Sequence, residues 1–314
     1  MRVLITGITG FAARHLTERL CADGHEVFGT SRQVAPPPWV SPERVAVVAL
    51  SDRAGLTAAI RRIRPDGVFH LAAATSVAAS FADPDTAYHA NLLGSLHVFA
   101  AVHAAAPRCR VLWVGSSDAY GLVSRDELPV RETALFRPLS PYAVSKAAAD
   151  LAAFQGSRGA GLDIVRVRPF NHTGPGQTAQ FVCADFARQV VEIERGRRPA
   201  RIDAGNLDVE RDFTDVRDVV RAYVLAWERG ERGEAYNVCT GIGRTPRAVA
   251  AELLRIGGVD AAVVADPQRQ RPVDVPVMIG SAAKIQRATG WSPAMSWEQT
   301  LRDVLADWRA RLVS

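Results

Sequence analysis

A chain of 314 residues with 48% hydrophobic and 23% charged content can bury a substantial core and shows no compositional sign of disorder. Its net charge of +5 is spread over scattered arginines, densest at Arg195-Gly196-Arg197-Arg198, without aromatic interleaving or helix-turn-helix or finger spacing. This argues against nucleic-acid binding and for attraction of phosphorylated small molecules. No apolar run reaches the roughly 18 residues of a membrane span. Met1 to Gly7 run straight into a strand pattern with no signal-peptide core, so a cytoplasmic location is expected.

Arg2 to Ile5 predict a short apolar strand, Gly7 to Gly10 a glycine-marked turn, and Phe11 to Leu20 a helix by their apolar spacing. A second strand is expected at Glu26 to Gly29. A Pro-rich loop follows from Ala35 to Pro42, whose Pro36-Pro37-Pro38 run suits neither a helix nor a central strand. Val45 to Leu50 predict a continuous buried strand, Arg53 to Ile63 a helix, and Gly67 to Leu71 a fourth strand. Asp83 to Ala106 predict one long helix and Arg110 to Gly115 a fifth strand. A further helix opens near Pro141, and Leu162 to Arg168 predict a sixth strand. Short apolar strands alternating with helices imply an α/β fold, a doubly wound parallel sheet covered on both faces. Beyond Pro169 the alternation decays. Helical stretches at Phe181 to Arg195, Val216 to Arg229 and Arg247 to Gly257 mix there with short strands and Gly/Pro-rich loops. The expected division is a dinucleotide-binding domain at 1–168 and a smaller, interleaved substrate-binding region at 169–314, with about 204–241 returning to the first domain.

Cys21, Cys109, Cys183 and Cys239 stand far apart, with no C-x-x-C pair and no metal-ligand spacing. Buried free thiols are expected, not a disulfide framework or a metal site. Of the 38 basic residues only Lys146 and Lys284 are lysine, and the other 36 are arginine.

The turn Gly7-Ile8-Thr9-Gly10-Phe11-Ala12-Ala13 lies between a strand and a helix, where a dinucleotide fold puts its pyrophosphate. Glycines let the backbone approach phosphate, and the helix N-terminus meets its charge; Ala13 is small enough for close helix–strand packing. NAD enzymes place Asp or Glu at the end of the second strand to hold the ribose hydroxyls. Here Thr30-Ser31-Arg32 stand there, and Arg32 suits a 2′-phosphate, so NADP(H) is favoured with NAD(H) possible.

Tyr142 and Lys146 stand four apart just after Pro141, so phenol and ammonium share one helix face. An adjacent ammonium, helped by the cofactor's positive ring when oxidised, is expected to favour the phenolate of a tyrosine whose reference pKa is about 10, and the phenol can then exchange a proton with a carbonyl or alcohol oxygen while hydride moves at the same carbon. Upstream, the apolar strand ending at Gly115 runs into Ser116-Ser117-Asp118-Ala119-Tyr120-Gly121, at the edge that faces the ligand crevice in such sheets. Ser116 can hydrogen-bond the reacting oxygen.

These residues, with T-G-x-x-G-F at Thr6 to Phe11, H-L-A-A at His70 to Ala73, N-L-L-G at Asn91 to Gly94, P-Y-A-V-S-K, R-P-F-N-H-T-G-P-G-Q at Arg168 to Gln177, R-D-F-T-D-V-R-D-V at Arg211 to Val219, Y-N-V-C-T-G at Tyr236 to Gly241 and R-P-V-D-V-P at Arg271 to Pro276, resemble the extended short-chain dehydrogenase/reductase family over essentially the whole chain. The resemblance is strongest to members that reduce or dehydrate GDP-linked sugars. It implies Ser116, Tyr142 and Lys146 as the catalytic group. It also implies a cofactor site that includes Leu50, Leu71, Ala72 and Ala73. Ser117, Asp118, Asn171, Val182, Arg211, Arg271 and Asp274 are implied as substrate contacts, with the arginines on phosphate and Asp274 near the nucleotide ribose. Asp118 stands where the dehydratases carry a Glu that abstracts a sugar proton. Being one methylene shorter, and with Thr75-Ser76-Val77 departing from the dehydratase pattern, it favours reduction of a 4-keto sugar over dehydration. The family often has Asp where Ala49 stands, next to adenine. The resemblance further implies a homodimer through the Asn91 and Tyr142 helices. An NADP-binding sensor without turnover is the alternative from another class, and such proteins usually lack the Tyr–Lys pair.

Overall fold

The structure, a computed structural model of the chain, describes residues 1–33, 35–269 and 274–312. In the first half, β1 (Arg2–Thr6), α1 (Phe11–Ala22), β2 (Glu26–Ser31), β3 (Val45–Val47), α2 (Arg53–Ile63), β4 (Gly67–His70), α3 (Val77–Ala82), α4 (Pro84–Ala87), α5 (Gly94–Ala105), β5 (Arg110–Val114), α6 (Pro141–Arg158) and β6 (Asp163–Pro169) follow in order. The second half holds β7 (Asn171–Thr173), α7 (Val182–Glu194), β8 (Arg201–Ala204), β9 (Glu210–Asp215), α8 (Val216–Arg229), β10 (Ala235–Val238), β11 (Gly243–Arg244), α9 (Pro246–Gly257), β12 (Ala262–Ala265), β13 (Val277–Met278), α10 (Ala283–Thr289) and α11 (Trp297–Arg311).

Seven strands pair in parallel in the order β10-β6-β5-β4-β1-β2-β3. The order runs outward in both directions from β1 and β4, so the crevice beyond their carboxyl ends is the topological switch point where such sheets bind ligands. Both faces are covered. Leu16, Leu20, Val219, Tyr223 and Trp227 of α1 and α8 pack on one, and Ile60, Val98, Phe99 and Ala149 of α2, α5 and α6 on the other. Burial on two sides is why β1 and β4 read as unbroken apolar runs.

Two expectations change. The predicted strand over Val45 to Leu50 is only three residues long, and Val47 is 54% exposed: an edge strand has one neighbour and half-open faces. The predicted helix from Asp83 to Ala106 is interrupted by a π-turn at Tyr88–Leu93, which puts Asn91 inside at 1% exposure. Such wide turns recur at functional sites. Within the span 204–241, α8 packs on α1 and β10 pairs with β6, while β9 belongs to a separate small sheet with β7, β11 and β13. That small sheet and the β8–β12 pair stand with a distinct core around Phe186, Val190, Leu253, Leu301 and Leu305. The chain passes from the large sheet to the small one across Phe170, whose N–H donates to the Val238 carbonyl at 2.9 Å.

Candidate active site

The glycine turn closes the crevice from one side. Gly7 has φ +71, and a Cβ there would meet the Ala72 backbone at 2.8 Å, so the turn after β1 and the segment after β4 touch along their backbones. The Gly7 and Ile8 N–H groups donate to the Thr30 carbonyl, tying the turn to β2. Most helices here have a side-chain N-cap: Asp52 caps α2, Ser140 α6, Asp215 α8 and Thr245 α9. α1 starts at Gly10 with no side-chain cap and no acidic residue in its first turn. Its first N–H groups and positive dipole end are therefore suited to an anion, and a dinucleotide pyrophosphate fits this cradle. Thr9 is partly buried in the turn and Phe11 stacks on His172 at 6.2 Å. Arg32 is exposed just past β2. Leu71, Ala72 and Ala73 are half-buried after β4, and Leu50 packs over Gly94 with its carbonyl 2.8 Å from His97 Nδ1.

Ser116, Ser117 and Asp118 sit on a 3₁₀ turn just beyond β5, at the same edge of the sheet. Tyr142 is 8% exposed, and its phenol is hydrogen-bonded to Ser116. The Ser116 hydroxyl also accepts the Asp118 N–H at 3.1 Å. Lys146 is 6% exposed; its ammonium donates to the Val114 carbonyl at 2.6 Å and lies 5.0 Å from the centre of the Trp113 ring. Burial pushes the Tyr142 phenol well above its ordinary value, the Asp118 carboxylate adds to this, and the Ser116 hydrogen bond only partly offsets them. The lysine ammonium is aimed at the Val114 carbonyl. Burial lowers the Lys146 pKa to about 8, against the opposing pull of Asp150.

On the far side, Asn171 and Arg211 share the small sheet. Asn171 is exposed on β7, opposite Phe213 of β9, and Arg211 lies two residues earlier on β9. Arg211 is ion-paired with Asp274. Val182 is the first residue of α7, whose N-terminus also has no side-chain cap. Arg271 lies outside the described residues. Among those residues no cluster of His, Cys, Asp or Glu could hold a metal ion, and no helix is long and apolar enough to cross a membrane. Cys109, Cys183 and Cys239 are buried and Cys21 is exposed.

Sequence spacing alone missed the groups that hold the α6 pair in place. Asn91 accepts from Ala74 N–H at 2.8 Å and donates to the Ala74 carbonyl at 3.1 Å and to Ser145 Oγ at 2.9 Å. Ser80 Oγ accepts the Tyr142 N–H at 3.1 Å. An asparagine inside an apolar helical run was the available signal, since a buried amide must find partners.

This geometry, a switch-point crevice with a Ser–Tyr–Lys group at its edge, defines an oxidoreductase of the extended short-chain dehydrogenase/reductase type. Residues 4–304 match the GDP-mannose 4,6 dehydratase family, and the chain belongs to it. It is 36% identical to the GDP-6-deoxy-D-mannose reductase of Pseudomonas aeruginosa, over 99% of this chain and 98% of that protein. It is 28% identical to a GDP-mannose 4,6-dehydratase of Vibrio cholerae, over 96% of this chain and 92% of the other. Among solved structures, RMD from Pseudomonas aeruginosa complexed with NADPH superposes with a TM-score of 0.88 at 35% identity, covering 99% of both chains. The Thermus thermophilus UDP-glucose 4-epimerase complexed with NAD gives 0.88 at 33%, over 98% of this chain and 99% of that one. The protein is an NAD(P)-dependent enzyme whose relatives work on nucleotide sugars.

Proposed function

We propose that the protein reduces the C4 keto group of GDP-4-keto-6-deoxy-D-mannose with NADPH, giving GDP-D-rhamnose, in deoxysugar biosynthesis. The observation that carries this is the Ser116–Tyr142 hydrogen bond beside Lys146 at the switch point, in a chain whose likeness to a GDP-6-deoxy-D-mannose reductase spans its full length. The bound nicotinamide cofactor supplies the hydride. Tyr142, kept protonated by burial, hands its phenolic proton to the C4 oxygen, and Ser116 orients that oxygen. Lys146 holds the nicotinamide ribose and favours the phenolate once the proton has left. Gly7, Thr9, Gly10 and Phe11 receive the pyrophosphate, with Leu50 and Leu71 to Ala73 lining the adenine and ribose side. Arg32 favours a 2′-phosphate, and so NADP(H) over NAD(H). Arg211, Arg271, Asn171, Val182 and Asp274 take the GDP moiety, and Ser117 and Asp118 lie against the sugar.

Asp118 gives dehydration a specific foothold, because its carboxylate lies near enough for its charge to push the Tyr142 pKa up. The GDP-mannose 4,6-dehydratase reaction is therefore the second reading. Product analysis by NMR separates them: one tube holds GDP-4-keto-6-deoxy-mannose with NADPH, the other GDP-mannose with NADP⁺. GDP-rhamnose in the first and no reaction in the second are expected. Loss of water from GDP-mannose would sink the reductase assignment, and a 6-deoxy-talose product would reverse the face of attack.

We assign residues 1–168 to cofactor binding and 169–314 mainly to the nucleotide sugar, with α8 and β10 serving the first. The protein is a cytoplasmic homodimer on this proposal. Leu93, Leu96, Val144, Leu151 and Phe154 leave an exposed apolar face on the π-turn, α5 and α6. Light scattering at micromolar concentration should read twice the 33.9 kDa chain mass; a single-chain mass would refute the dimer.

A further inference from the structure

Lys146 is a charge kept in a poor solvent, and its surroundings show what keeps it. From β5 it meets only the Val114 carbonyl and the Trp113 face. From β4 it faces His70, which is neutral because burial, helped by Lys146 itself, pushes its pKa down to about 3. On its own helix Tyr142 is uncharged, and the Asp118 carboxylate acts on that phenol. Asp150 is the remaining anion. It stands one turn beyond Lys146, so Tyr142, Lys146 and Asp150 follow at i, i+4 and i+8 along one buried face. It is the group that favours the charged form of Lys146.

Asp150 is 1% exposed and receives two arginines from β6. Arg168 donates through Nε to Oδ2 at 2.9 Å and through Nη2 to Oδ1 at 2.9 Å, and Arg166 Nη1 donates to Oδ1 as well. Arg168 Nη1 reaches on to the Tyr120 hydroxyl at 2.9 Å and the Glu132 carbonyl at 3.0 Å. The Asp150 carboxylate therefore joins the helix carrying Tyr142 and Lys146 to the strand that leads through Phe170 to Asn171, and Arg168 extends the link to Tyr120 at the end of the Ser116 turn. Two guanidinium groups on one carboxylate leave the cluster with excess positive charge, so Arg166 weakens the field that Asp150 exerts on Lys146.

We propose that Asp150 is a positioning residue: it holds Lys146 as an ammonium and, through Arg168 and Tyr120, locks the Tyr142 helix against the Ser116 turn. This rests on the assigned roles of Tyr142 and Lys146, and its test is separable from the choice of substrate. The chain has only two lysines, Lys146 and Lys284. Lysine labelled with ¹³C at Cε in the full-length protein thus gives two signals, which Lys284→Arg assigns, and each can be titrated with and without NADPH. Asp150→Asn should lower the Lys146 midpoint by about one pH unit or more, and the alkaline limb of kcat/KM should move with it; Asp150→Glu should restore both. Arg166→Gln keeps the two-point Asp150–Arg168 pair but unmasks the carboxylate, so it should move the midpoint upward. The opposite signs are what mere structural support would not produce. If Asp150→Asn fails to fold, the sign from Arg166→Gln decides. A folded Asp150→Asn with an unmoved Lys146 midpoint, or an Arg166→Gln midpoint that stays or falls, overturns the proposal.

Discussion

Replacing Lys146 with Met should make the protein more stable at neutral pH while abolishing its chemistry. Burial lowers the lysine pKa from 10.5 to about 8 in the folded state. Below pH 8 both folded and unfolded states carry the proton, but the folded state holds it unfavourably. A gap of about 2.5 pH units at about 1.36 kcal/mol each amounts to roughly 3 kcal/mol of lost stability at pH 7. As pH rises from 8 toward 10.5 the folded state releases its proton first, and the penalty shrinks to about 1.4 kcal/mol at pH 9.5. Met has similar length and no charge, so it removes the penalty. It also removes the 2.6 Å bond to the Val114 carbonyl, a loss of about 1–2 kcal/mol. The expected net gain at pH 7 is about 1–2 kcal/mol, falling by about 2 kcal/mol at pH 9.5. Urea unfolding of both proteins at the two pH values reads this directly, and the pH-independent hydrogen-bond loss cancels in the difference between them. A Lys146→Met effect identical at pH 7 and pH 9.5 would refute the account of Lys146 as a buried, strained cation. The gain in stability at the expense of activity is the usual mark of a functional charge.

Two further changes bear on the site. Tyr142→Phe removes the phenol that Ser116 bonds but leaves the ring in place; kcat should fall about 10²- to 10⁴-fold with NADPH affinity, measured by fluorescence titration, close to wild type. Turnover within a few-fold of wild type would move the proton donor elsewhere. Arg32→Ala should raise the KM for NADPH about tenfold or more, as a charge-assisted phosphate contact is lost, and leave the KM for NADH little changed. Equal effects on both cofactors would assign Arg32 to adenine and not to the 2′-phosphate.

The parts of the fold with strong local signals are legible in the chain. Arg53 to Ile63 and Val216 to Arg229 are helices with the expected bounds, because Asp52 and Asp215 cap them and their apolar residues keep one face. The parallel sheet is legible because strands buried on both faces must be apolar throughout. What fails is what depends on neighbours. Val45 to Leu50 has the composition of a central strand but lies at the sheet edge, so it pairs for only three residues. Asp83 to Ala106 reads as one helix, and the lone Asn91 in its apolar run is the one local hint of the π-turn that turns it inward. The i, i+4 spacing of Tyr142 and Lys146 gives a shared face, but not where the ammonium points or how dry the site is.

Sequence by itself determined the class of chemistry: a glycine turn between strand and helix, and a tyrosine and lysine one turn apart in a chain whose other basic residues, Lys284 excepted, are arginine. These are short-range patterns, readable because a backbone turn and a helix face are set by residues a few positions apart. Tertiary structure alone decided the charge balance. It paired Arg211 with Asp274 across 63 positions, brought the Asp118 charge within reach of Tyr142, and set Arg166 and Arg168 on Asp150 behind Lys146. Burial and charge act through space, and only the packed sheet brings those groups within reach of one another.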